Sequence, residues 1–174
     1  MRLHVILLLM AILEMEGLMM HGLALFREMP SRRIKPDTVT YETILDGLFH
    51  SGRTVAPRKI FHEMTENGII VSISTYGIIL RGLCRNNCTD EAIALFQKLG
   101  AMNVKFSLAI LNTMINAMYK VQKKEEAKEL FAAILASGLV PNESTYRVMI
   151  RYLLKHGAVE DANSMFSAEI WDGL

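Results

Sequence analysis

The chain has 174 residues, of which 51% are hydrophobic, 21% charged and 7% aromatic, a balance that supports a packed core and excludes a disordered chain. Nineteen Lys and Arg stand against eighteen Asp and Glu, a net charge of +1, so a nucleic-acid surface has to come from local clustering rather than from a whole-molecule field. Two cysteines, Cys84 and Cys88, exclude a disulfide framework and suit a reducing compartment.

The first predicted element is the apolar run VILLLMAIL at residues 5–13, behind Arg2 and His4. It falls well short of the roughly 20 residues that span a bilayer. Glu14 and Glu16 follow at once and no small-x-small cleavage site appears, so the run reads as a repeat helix rather than a secretory signal. An Arg- and Ser-rich transit peptide is not visible either.

From there a fixed period governs the chain. Phe26, Phe61, Phe96, Phe131 and Phe166 are 35 residues apart at every step. Leu25, Ile60, Leu95, Leu130 and Met165 keep the same period, as do Ala92, Ala127 and Ala162. Tyr41, Tyr76 and Tyr146 share a column with Leu111 in the open slot. Gly68, Gly138 and Gly173 share another with Asn103, and Gly17, Gly52 and Gly157 a further one with Asn87 and Gln122. Agreement among several columns identifies tandem repeats. The units run 3–37, 38–72, 73–107, 108–142 and a shortened 143–174.

Each unit reads as two helices. Unit 3–37 is degenerate in its first helix but normal in its second, LALFREM. In unit 38–72, Thr54 reads as an N-cap, which places Pro57 in a first turn where its missing amide is tolerated. In unit 73–107, Tyr76, Ile79, Leu80 and Leu83 have the three-and-four spacing of an amphipathic helix. Asn87 then takes the left-handed cap conformation expected of Gly52 and Gly157. Thr89 reads as the next N-cap, with Asp90 and Glu91 at the positive end of a helix whose apolar face is Ala92, Leu95, Phe96 and Leu99. A hairpin of this length cannot bury its apolar face alone, so the Phe and Ala columns are read as core between stacked repeats. The predicted fold is all-α, an α-solenoid of about five 35-residue helix–turn–helix repeats.

The stretches TVTYETILDGLFHSG, ISTYGIILRGLCRNN, TDEAIALFQKL, EEAKELFAAI, RIKPD and GLVPN resemble the P-type pentatricopeptide repeat, and in particular the fertility-restorer-like plant branch. The tetratricopeptide repeat shares the Ala and Phe columns but starts with Trp-x-x-Leu-Gly-x-x-Tyr, absent here. The resemblance implies a right-handed α-solenoid that binds single-stranded RNA in an organelle, mitochondrion before chloroplast. It implies about one base read per repeat, by the fifth and the last residue of each unit. Carried onto this chain, the base-selecting pairs are Leu7 with Asp37, Glu42 with Ser72, Gly77 with Ser107, and Asn112 with Asn142, followed by Arg147 alone. Asn112 with Asn142 matches the family pattern and implies a pyrimidine. Glu42 reads as a poor selector that would repel phosphate, Gly77 offers no side chain, and Leu7 cannot hydrogen-bond. The base-sandwiching position falls on Val39, Ser74, Ala109 and Ser144, of which Val39 fits. The phosphate-contacting position falls on His50, Arg85, Lys120 and Lys155. Basic residues there also complement the negative end of a helix. Arg147, Arg151 and Lys155 share one helical face.

Other chemistry finds little support. Cys84 and Cys88 lack the two further ligands that a zinc site requires, and the five histidines are scattered. No Gly-rich phosphate loop, nucleophile elbow or zinc-deaminase signature occurs. The expectation is therefore no enzyme, no cofactor, no metal, no small-molecule substrate and no membrane. The alternatives to RNA binding are a protein-interaction scaffold and a truncated repeat protein without a specific ligand.

Overall fold

A computed structural model describes residues 19–160, 162–164 and 167. Residues 5–13, Leu7, Gly17, Met165, Phe166, Trp171 and Gly173 lie outside the described residues. Eight helices are defined among those described: α1 (Met19–Glu28), α2 (Thr38–His50), α3 (Val55–Glu66), α4 (Ile73–Arg85), α5 (Thr89–Ala101), α6 (Leu108–Lys120), α7 (Lys124–Ala136) and α8 (Glu143–Lys155). No strand occurs among the described residues. The fold is the all-α helical-repeat class that the 35-residue ladder predicts. None of the helices described is long and apolar enough to cross a membrane.

Short-range chemistry starts and stops these helices. Asp37 Oδ1 accepts from the Thr40 amide at 2.9 Å and from its hydroxyl at 2.7 Å, closing the first turn of α2. Ser72 and Asn142 form capping boxes with Thr75 and Thr145 at the starts of α4 and α8. Pro57 sits buried in the first turn of α3, as expected. Thr54 occupies the N-cap of α3 as expected, without a side-chain cap bond. One N-cap expectation needs correction: Thr89 is already the first helical residue of α5.

Left-handed residues recur at two repeat positions. Gly52, Asn87, Gln122 and Gly157 have φ of 76°, 60°, 65° and 77°, and Arg33, Gly68, Asn103 and Gly138 have 57°, 67°, 59° and 75°. The first set reverses the chain between the two helices of a repeat. There the amide two residues past the C-cap bonds back into the last turn, as Cys88 N does to Leu83 O at 2.9 Å.

The chain divides into two compact units, one up to Cys88 and one from Thr89. In the first, α2 packs against α1, α3 and α4. Ile44, Leu45 and Leu48 of α2 are fully buried. In the second, α6 packs against α5, α7 and α8, burying Met114 and Ile115 completely. The same interdigitation of first helices thus appears twice, each unit centred on one of them.

The aromatic ladder works in pairs. Phe26 meets Tyr41 edge-on at 5.2 Å, Phe61 meets Tyr76 at 6.2 Å and Phe131 meets Tyr146 at 6.0 Å. Each pair joins the second helix of a repeat to the first helix of the next, in the T-shaped geometry aromatic rings prefer. Where the column holds Leu111, Phe96 instead packs on Phe106 at 5.0 Å. The Ala column is buried as predicted, with Ala92 and Ala127 at 0% exposure. Phe61 alone among the described ladder phenylalanines is only half-buried.

Candidate nucleic-acid interface

The first helices α2, α4, α6 and α8 present one solvent-facing stripe each. Residues at repeat positions 2, 9 and 13 are separated by seven and four, close to whole helical turns, so they line up. Val39, Ser74, Ala109 and Ser144 at position 2 are all exposed. Arg81, Asn116 and Arg151 at position 9 are exposed, and Asp46 is half-exposed. His50, Arg85, Lys120 and Lys155 at position 13 are exposed, and each is the last residue of its helix.

The charge on this stripe is uneven. Among the described residues Arg81, Arg85, Lys120, Arg151 and Lys155 have no salt-bridge partner. His50 differs: its Nδ1 lies 2.8 Å from the Asp46 carbonyl and 3.5 Å from the Asp46 carboxylate. Arg147 is held by Glu143 one turn earlier. His156, the C-cap of α8, is kept below the usual imidazole range by desolvation and then by the charges of Lys124 and Lys155. Of the four position-13 residues, Arg85, Lys120 and Lys155 are therefore the available cations.

The base-selecting pairs fare differently. Asn112 Nδ2 donates to Asn142 Oδ1 at 3.5 Å, so these two residues meet as the resemblance implies. Asn142 Oδ1 also accepts from the Thr145 amide and hydroxyl, both at 3.1 Å. The oxygen is saturated, and the exposed Asn142 amide nitrogen is left to donate outward. Asn112 is 8% exposed, and its Oδ1 is a buried acceptor without a partner. The pair thus presents the Asn142 donor, while the unsatisfied Asn112 acceptor stays buried.

Glu42 and Ser72 also meet. Ser72 Oγ donates to Glu42 Oε1 at 2.7 Å, and Thr75 Oγ1 donates to the same oxygen at 2.6 Å. Glu42, read as a poor selector that would repel phosphate, is anchored by these two hydroxyls. Thr75 is fully buried and was not singled out from sequence, although Ser72-x-x-Thr75 carries the capping-box signal. Gly77 is buried in the first unit, and Ser107, in the second, is exposed and makes no side-chain cap bond. Leu7 lies outside the described residues.

Cys84 and Cys88 are half-buried. No cluster of three His, Cys, Asp or Glu able to hold a metal occurs among the described residues.

Comparison with known proteins follows the same lines. A family model described as the PPR repeat family matches residues 8–50, 36–85 and 107–155, and a PPR repeat model matches 74–104 and 144–168. No curated protein matches significantly. Among solved structures, the pentatricopeptide repeat protein PPR10 from maize superposes with a TM-score of 0.74 at 18% identity, over 94% of this chain and 24% of that one. PPR10 in complex with an 18-nt psaJ RNA element gives 0.73 at 19% identity, over 90% and 23%. The PPR domain of Arabidopsis thaliana protein-only RNase P 1, in complex with tRNA, gives 0.71 at 15% identity, over 86% and 78%. The chain spans about a quarter of the length of PPR10. At these identities the likeness is one of fold.

Proposed function

Because the chain belongs to the pentatricopeptide repeat family, we propose that it is a single-stranded RNA-binding module without catalytic activity of its own. The observation that carries this reading is Lys120 and Lys155 in the second unit, with Arg85 at the same repeat position in the first. Each is exposed at the end of a first helix, without an ion-pair partner among the described residues. Backbone phosphates along a single strand are the natural counterpart of such regularly repeated cations. PPR10 and the PPR domain of RNase P 1 are each recorded bound to RNA, which supports the same reading. Asn112 and Asn142 would then read one pyrimidine through the free Asn142 donor, and Val39 would pack against a base.

The finer proposal is a role in processing or stabilising an organellar transcript, mitochondrial in the first instance, in the manner of fertility-restorer-like repeats. Fractionation of cells that express the tagged protein tests the compartment: recovery outside organelles overturns it.

Binding of labelled single-stranded RNA pools at 50 to 300 mM salt tests the RNA reading. About three phosphate contacts give a slope of log affinity against log salt near −2, at about −0.7 per contact. The Lys120→Glu, Lys155→Glu double variant should bind more weakly and with a slope shallower by about 1.4. Salt-independent binding, or a variant equal to the parent, would sink the reading.

Ile70 and Val140, at the same repeat position, are 79% and 78% exposed, and this favours a second reading as a protein-interaction scaffold. Capture of a purified partner that survives nuclease treatment would support it, and loss on treatment would return the case to RNA.

A further inference from the structure

Three helix ends meet in the second unit around two stacked tyrosines. Tyr119, one residue from the end of α6, and Tyr152, near the end of α8, lie 3.6 Å apart and nearly parallel. Both are buried. The His156 ring packs on Tyr152 at 4.2 Å, and Lys124 Nζ lies over the same tyrosine at 5.8 Å, within cation–π range. Because α7 begins at Lys124, its start stands beside the end of α8.

The charge here runs against the helix that carries it. A helix N-terminus is positive and favours an anion, yet α7 opens on Lys123 and Lys124, and its N-cap makes no side-chain cap bond. Lys155 adds a third ammonium as the last residue of α8. None of these three lysines has a salt-bridge partner among the described residues. Glu125 and Glu126 follow in the first turn of α7, but Glu125 pairs with Lys128 at 3.3 Å. Lys120 ends α6, and Glu160 is exposed beyond the turn that follows α8. The imidazole of His156 registers the crowding: desolvation, then Lys124 and Lys155, hold it below the usual range. It is therefore neutral near pH 7, which leaves Lys124 and Lys155 as two positive charges around one ring.

We infer that Lys124, Lys155 and His156 form a binding site for a phosphate monoester dianion. Two ammoniums match two negative charges. A phosphate monoester carries about −1.5 to −2 at pH 7, whereas an internal phosphodiester carries a single charge. When the anion docks, the imidazole regains its proton and becomes a third charged donor. The first amides of α7, left without a side-chain cap, add uncharged donors. The buried tyrosine pair gives Lys124 and His156 a rigid floor. Lys155 also stands in the position-13 column, but Lys124 and His156 do not, and they mark an end group rather than a continuous strand. Two sources carry such a group, the phosphorylated end of a nucleic acid and a free small phosphate.

The test is NMR of the intact chain with the His156 imidazole as reporter. Inorganic sulfate is the first probe, because it stays a dianion between pH 6 and pH 8. Sulfate should move the His156 resonances saturably, with an affinity that rises as the pH falls, since the bound imidazole takes up a proton. Lys124→Ala should weaken binding about fivefold, the upper range for an exposed ion pair. Lys105→Ala, which removes an exposed lysine elsewhere in the same unit, should leave it unchanged. His156→Asn installs the residue that α4 has at its C-cap, Asn86, and should bind sulfate without the pH dependence. Inorganic phosphate and a short RNA with and without a terminal phosphate separate the sources. Preference for the phosphorylated RNA supports the site as one for a nucleic-acid end, and equal affinity for inorganic phosphate supports it as one for a free phosphate. A His156 response that never saturates, or equal weakening by Lys124→Ala and Lys105→Ala, overturns the inference. Failure to retain the RNA pools used above overturns the RNA reading alone, so the two fail separately.

Discussion

Phe49 lies across the backbone of Gly82, where a methyl group would come within 2.2 Å of the ring. Gly82 is in α4 and Phe49 near the end of α2, so this contact sets how closely two successive first helices approach. Phe49 is itself 2% exposed and cannot leave without opening the core. Gly82→Ala should therefore destabilise the protein despite the roughly 1 kcal/mol that alanine gains over glycine in a helix. The steric cost should lie toward the top of the 1–3 kcal/mol typical of overpacking. Urea denaturation should show a lower midpoint. Phe49→Leu should relieve part of the effect, so the double variant would be less destabilised than the sum of the singles.

The left-handed turn residues give a pair of predictions of opposite sign. Gly157 has φ +77° with nothing crowding its Cα, and Gln122 holds the equivalent turn at +65°. Gly157→Ala should cost about 1 kcal/mol, since a Cβ in that region is strained. Gln122→Gly should be neutral or stabilising by a few tenths of a kcal/mol, the released strain being offset by unfolded-state entropy. Thermal melts should show a lowered midpoint for Gly157→Ala and an unchanged or slightly raised one for Gln122→Gly.

Asn112 should trade stability against recognition. Its buried Oδ1 has no partner, and an unsatisfied buried acceptor costs about 1–3 kcal/mol. Asn112→Leu should raise the unfolding free energy by about 1 kcal/mol while abolishing pyrimidine choice at that repeat. A variant that is both less stable and equally selective would refute the assignment.

Tyr119 should make stability fall in alkaline solution. Burial, then Tyr152 and Glu125, push its pKa from 10.0 up to about 12. The folded state favours the neutral phenol, so this contribution is complete below pH 10 and is lost as pH rises toward 12. The ring stacks on Tyr152 at 3.6 Å, and its hydroxyl contacts Met149 Sδ at 3.2 Å. Tyr119→Phe keeps the stack and should flatten the decline between pH 10 and 12, as seen by denaturant midpoints across that range.

Much of this architecture was written in the repeat period. The helix pairs, the buried Ala column and the left-handed conformation of Asn87 follow from local residue type and spacing. What sequence did not reveal is which columns touch. Phe26 and Tyr41 are 15 residues apart, and their edge-on contact exists only once the chain has turned between α1 and α2. Phe49 and Gly82 match because a large ring needs an absent Cβ one helix away, a complementarity that no periodicity contains. The candidate interface was half legible. The column of Arg85, Lys120 and Lys155 follows from the repeat period, and its phosphate-contacting role is what the family resemblance implies. The tether of His50 to Asp46 and the clamp on Glu42 depend on side-chain geometry. Asn142 was readable as a cap from Asn142-x-x-Thr145 and was considered only as a selector.

That double duty limits how the molecule can change. Asp37, Ser72 and Asn142 each end one repeat and start the next helix with their side-chain oxygen. On the proposed RNA-reading role, any swap that retunes base preference at these sites must also be able to open a helix, which leaves a short alphabet of Asp, Asn, Ser and Thr. Ser107 makes no such cap bond, so it is the position where an engineer or a drifting lineage can try other letters at the least structural risk.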